Sequence, residues 1–90
     1  MSEKKLNHTR IHELKIEATY LDRLCAEQKT FEIRFNDRDY QVGDYLRFTS
    51  KDHILGEGFN PLFEVVYISN YPQGLKEGWV VLGVKYLPEQ

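Results

Sequence analysis

Ninety residues leave room for one domain built on one small core. Hydrophobic residues at 41% and charged residues at 29% are ordinary for a globular chain, which excludes a disordered tail, a collagen-like fibre and a multi-domain machine. Twelve Lys and Arg against fourteen Asp and Glu give a formal charge of −2, so the chain is no basic nucleic-acid coat, and any polyanion contact has to come from a local patch.

Met1 to Thr9 lacks periodicity and is expected to be a flexible end of a single domain spanning residues 1–90. The first ten residues are polar and lysine-containing, so no signal peptide is expected. From Arg10 to Glu17 the string RIHELKIE alternates His12, Leu14 and Ile16 with Glu13 and Lys15, the pattern of a half-buried strand. Thr19 then suits a helix N-cap, with Asp22 three residues on as a weak capping box, and Tyr20, Leu21, Leu24 and Cys25 supply an apolar stripe at helical spacing. Thr30 to Phe35 is the cleanest strand: Phe31, Ile33 and Phe35 face one way, Thr30, Glu32 and Arg34 the other.

Asn36 to Asp39 is a polar turn, and Gly43-Asp44 a tight one. Tyr45 to Thr49 is a strand and Ser50 to Pro61 a long loop. Leu62 to Ile68 is a nearly continuous apolar strand, and Asn70 to Gly78 is a loop. Trp79 to Tyr86 is a final core strand in which Gly83 marks a bulge or a close backbone approach. Five strands and one early helix in so short a chain predict an α+β fold, a small mixed β-barrel that hides its own edges, of about five or six strands.

No apolar run approaches the roughly 20 residues of a membrane span. A lone cysteine, Cys25, excludes an intramolecular disulfide and argues for a reducing, intracellular setting; a soluble cytoplasmic protein is the default expectation. One cysteine with scattered His8, His12 and His53 makes a metal site unexpected. Gly74, Lys76 and Gly78 form no dinucleotide or Walker pattern, and no cofactor is expected.

The segment that carries chemistry is Lys29 to Asp39. Period two sets Glu32 beside Arg34, with Lys29 and Thr30 just before them and Asp37 and Arg38 in the following turn. A guanidinium beside a carboxylate recognises a base edge or a phosphate while the acid holds it in place. Spacing alone favours the plainer reading, a solvated strand face with surface ion pairs. His12 reads first as a buried, hydrogen-bonded histidine and second as a pocket wall. Cys25 reads as helix core. Of the six tyrosines, Tyr40 and Tyr71, beside turns, are the better stacking candidates, and Trp79 reads as the start of a core strand.

Lys29-Thr30-Phe31-Glu32-Ile33-Arg34 resembles the signature of the ASCH family, which runs Gly-x-Lys-x-x-Glu-x-Arg. Lys29, Glu32 and Arg34 match, and Glu27 stands at the glycine position. The wider string looks closer still to a bacterial and phage branch of ASCH-like domains (DUF3850-like). It is carried by His12-Glu13-Leu14-Lys15-Ile16, Asn36-Asp37-Arg38, Val42-Gly43-Asp44 and Gly78-Trp79-Val80-Val81-Leu82-Gly83, so the resemblance spans His12 to Lys85.

The resemblance implies a PUA-like barrel with a helix after the first strand, and a cleft near Lys29, Glu32 and Arg34 that binds RNA or a nucleotide. On that reading Lys29 and Arg34 contact phosphate or a base acceptor, Glu32 orients Arg34 or accepts from a base amine, and Arg38 extends the rim. Thr30, His12 and Tyr40 complete the candidate set. One ASCH-like group hydrolyses N4-acetylcytidine with a lysine, a threonine and a distal glutamate. Its lysine matches Lys29, but its threonine falls at Glu32, so a hydrolase here would work through Lys29, Glu32 and a water, with Glu57, Glu64 or Glu77 as the distal acid. A protein-interaction module is the third expectation, suggested by the acidic pI of about 5.9.

Overall fold

The computed structural model describes residues 10–89, so the expected flexible end, His8 included, lies outside the described residues. In chain order the elements are strand β1 (Ile11–Lys15), helix α1 (Ala18–Cys25), and strands β2 (Phe31–Phe35), β3 (Tyr45–Thr49), β4 (Leu62–Ser69) and β5 (Trp79–Leu87). The strands form one mixed sheet in the order β1-β3-β4-β5-β2. Only the β1–β3 pair is parallel, and α1 and β2 lie within the connection between those two strands. The sheet curls into a half-barrel around Leu14, Leu46, Phe48, Phe63, Val65 and Leu82, and Leu21 and Leu24 of α1 pack into the same core.

The expected element types are all present. Gly43 turns the chain into β3 with φ +98°, a conformation glycine adopts without strain. The register of β4 against β5 shifts between Val65 and Tyr67 (Val65↔Val84, Tyr67↔Gly83), the signature of a bulge at Val66. Gly83 is the close approach beside it: a Cβ there would stand 3.0 Å from the Tyr67 Cβ.

Four expectations are corrected. Helix α1 opens two residues early, with Glu17 rather than Thr19 at the N-cap and no side-chain cap, so Thr19 and Asp22 form no capping box; Asp22 accepts instead from His53 Nε2 at 2.8 Å. His53 is therefore not isolated: it ties the Ser50–Pro61 loop to the helix and stacks on Phe59. The barrel does not hide its edges, because β1 and β2 end the sheet without pairing to each other.

The fourth correction concerns β2. Phe31, Ile33 and Phe35 are 44%, 45% and 50% exposed, whereas Glu32 is 7% exposed. The charged row points inward. The cause is register: Glu32 pairs with Leu82 and Arg34 with Val80, and those two β5 residues belong to the core, so the partners beside them share the inner face. Trp79, opposite Phe35, accordingly starts β5 on the outer face and is 38% exposed rather than core.

Candidate functional site

An inward-pointing row of charge is tolerable here because β2 is an edge strand, and its inner face meets the rim of the core rather than the middle. Glu32 is satisfied on both oxygens. Oε1 accepts from Lys29 Nζ at 2.6 Å, and Oε2 accepts from Arg34 Nε at 3.0 Å, with Arg34 Nη2 2.9 Å away. A buried carboxylate without such partners would be strongly unfavourable. Arg34 Nη2 also donates to the Lys15 carbonyl at 2.9 Å. That bond crosses from β2 to β1 and spans the seam where the half-barrel fails to close. The guanidinium also lies over the Phe48 ring, 5.7 Å from its centre. Arg34 is thus fixed in position and orientation, with Nε and Nη2 engaged and Nη1 left over.

A cleft of about 440 Å³ opens at this seam. Lys15, Ile16 and Glu17 at the end of β1 form one wall, and Glu32 to Phe35 of β2 the other. Asp37, Arg38 and Tyr40 follow from the turn, and Tyr20 and Trp79 add aromatic surface. Its charges balance, Lys15, Arg34 and Arg38 against Glu17, Glu32 and Asp37. Its volume falls in the range of small-ligand sites, roughly 300–1,000 Å³.

The sequence-predicted residues divide accordingly. Glu32, Arg34, Arg38 and Tyr40 line the cleft. Arg38 is exposed and only loosely paired, its Nε 4.0 Å from Asp37. Tyr40 is 4% exposed, so little of its ring face is free for stacking. Burial raises its hydroxyl above the usual tyrosine value, against the lowering pull of Arg34 and Arg38. Lys29 and Thr30 line a separate groove of about 210 Å³ beside Leu24 and Tyr86, and Lys29 reaches the cleft network only through Glu32. His12 stands behind Tyr40 in an edge-on contact, ring centres 4.9 Å apart.

For the hydrolytic alternative, the Lys29 and Glu32 groups face each other, and both Glu32 oxygens are already occupied by cations. Of the candidate distal acids, Glu57 lines another cavity, Glu64 pairs across strands with Lys85, and Glu77 sits by the β4–β5 loop. Tyr71, in that same loop, is exposed and lies over Gly74. Cys25 is partly buried, and burial raises its thiol above the usual range. No group of three metal-ligating side chains occurs among the described residues, and no helix is long and apolar enough to cross a membrane.

Sequence reasoning missed four contributors. Asp44 is the anchor behind Tyr40. Its Oδ2 accepts from His12 Nε2, Arg10 Nη2 and the Gln41 amide, each at 2.9 Å. Burial works to raise this carboxyl, but the bonds from His12, Arg10 and Gln41 outweigh it and hold the group below the ordinary carboxylate range. Its one signal was the Val42-Gly43-Asp44 string. Lys15 contributes a backbone carbonyl, which no side-chain pattern announces. Trp79 and Phe35 stand edge-on, 5.8 Å apart, at the cleft mouth.

A family model described as a domain of unknown function, DUF3850, matches residues 11–84, the whole of the sheet and helix up to Val84 in β5. No curated protein matches the chain.

Proposed function

The chain belongs to the DUF3850 family, and from the geometry of its seam we propose that it is an ASCH-like, PUA-like domain that binds RNA or a nucleotide-like ligand between β1 and β2. The observation that carries this reading is the clamped guanidinium. Arg34 is held by Glu32 and by the Lys15 carbonyl, so its orientation is set before any ligand arrives, and Nη1 remains for a base acceptor or a phosphate oxygen. Preorganised donors lose little entropy on binding.

Glu32 acts here as the group that orients Arg34; with both oxygens occupied it is not the acceptor for a base amine. Arg38 supplies the exposed cation at the rim. The balanced charge of the cleft favours a base with at most a single phosphate over a polyphosphate.

The test is Arg34→Ala and Arg34→Lys, with affinity for a short single-stranded RNA read by fluorescence anisotropy and folding by circular dichroism. A single charge-assisted hydrogen bond from Nη1 is worth about 1.5–3 kcal/mol, so Arg34→Ala should weaken binding roughly ten- to 150-fold. Arg34→Lys, which keeps the charge and loses the fork, should rescue little. Unchanged affinity in a folded Arg34→Ala protein overturns the reading.

A further inference from the structure

The cleft does not end at its own rim. Ile33, Phe35 and Trp79 line it, and the same three residues lie on the outer face of the sheet. From them a surface without charged side chains runs across β2, β5 and β4 as far as Gly83, where the cross-strand pair Lys85 and Glu64 bounds it. Phe31 and Tyr67 both stand opposite Gly83, one from each side, and are 44% and 59% exposed. Gly83 keeps the floor between them low, because it carries no side chain. Phe31 and Tyr67 are two strand spacings apart, roughly 9.5 Å. A planar ring held between two others needs about 7–8 Å, so a modest lean of either ring closes the gap. Phe35 lies four residues along β2, about 13 Å from Phe31.

We infer that the ligand is a single strand of nucleic acid rather than a mononucleotide: one nucleotide enters the seam, and the neighbouring bases stack on the outer aromatic shelf, first at Phe35 and Trp79, then at Phe31 and Tyr67. This rests on the reading of the seam as a nucleotide site. Base-on-ring stacking is sequence-tolerant and needs no charge on the shelf itself. The cations stand at its two ends. Arg38 and Lys15 are exposed at the cleft mouth, and Lys29 Nζ lies 4.8 Å from the Phe31 ring centre. That arrangement favours a strand over a second protein, which would gain nothing from the continuity between shelf and cleft.

The experiment titrates the protein with uridine monophosphate and with oligouridylates of two, four and six nucleotides, by calorimetry. Affinity should rise at least tenfold from one to four nucleotides. Phe31→Ser and Tyr67→Ser, which lie off the cleft, should remove the part of that gain that comes beyond two nucleotides and leave mononucleotide affinity unchanged. With three cations at the two ends, the slope of log affinity against log salt should be no steeper than about −2. If the mononucleotide binds and added length brings nothing, the inference is overturned while the seam reading stands. If neither mononucleotide nor oligomer binds, the seam reading itself fails. Light scattering at high protein concentration supplies the remaining outcome. A dimer broken by Ile33→Arg, with no gain from length, would assign the shelf to a second copy of the chain and overturn the proposal.

Discussion

Glu27 offers the sharpest test of how this chain makes its turn from helix to strand. Helix α1 ends in a Schellman motif: the Gln28 amide donates to the Arg23 carbonyl at 2.9 Å, and the Glu27 amide to the Leu24 carbonyl at 3.1 Å. The motif needs a left-handed residue one place past the C-cap Ala26, and Glu27 fills it with φ +60°. Glycine takes that conformation freely, whereas a residue with a Cβ gives up about 1–2 kcal/mol. Glycine in turn costs roughly 0.5–1 kcal/mol through the greater freedom of the unfolded chain. Glu27→Gly should therefore stabilise by about 0.5–1 kcal/mol, raising Tm by about 2–8 °C for a domain of this size.

Glu27 also places a negative charge at the helix C-terminus, which is unfavourable in its own right. Glu27→Ala removes that charge and keeps the left-handed strain, so it is the control. Thermal unfolding followed by circular dichroism at pH 7 should order the variants Gly above Ala. Equal stability of Glu27→Gly and Glu27→Ala would refute the strain argument.

Asp44 sets part of the acid limit. Its carboxyl sits below its ordinary value in the folded protein, so its contribution is fully present above the unfolded carboxylate pKa of about 3.9 and is lost as pH falls through the lower folded value. Urea midpoints at pH 5, 4 and 3 should fall less steeply for Asp44→Asn than for the natural chain, and Asp44→Asn should already be weaker at pH 7 by about 1–3 kcal/mol; parallel slopes would count against this network. Gly78 has φ +90°, and a Cβ there would lie 2.6 Å from the Phe35 Cε1, so Gly78→Ala should lower Tm by about 5–15 °C, even though the half-exposed Phe35 ring can swing aside. Gly58→Ala, at a position with an unremarkable φ and nothing within 4 Å, should leave Tm within a degree or two.

Which parts were readable from the chain follows from where the physics is local. The alternation in HELKI and TFEIRF marked β1 and β2, because a strand's two faces meet two environments wherever it sits. Gly43 announced a turn and Gly83 a close approach, because each needs the absence of a Cβ. The nearness of Lys29, Glu32 and Arg34 was equally legible, since it depends on period two and little else. Thr19 misled because its side chain suits an N-cap, yet the chain enters the helix at Ala18 with Glu17 extended.

The direction of β2 was not legible. Three apolar residues on one face and two charges on the other look like a strand with its apolar side buried, and local pattern alone offers no reason to invert it. The register with β5 decided it, setting Glu32 beside Leu82 and Arg34 beside Val80 on the core side. The sequence by itself thus determined the elements, their order and the composition of the charged cluster, all matters of residues close together in the chain. Only the tertiary structure turned that cluster inward, left β1 and β2 unpaired with each other, and brought the Lys15 carbonyl within 2.9 Å of Arg34. Those outcomes depend on pairing between strands distant in sequence, and a one-residue slip there would have exchanged the cleft face for the shelf.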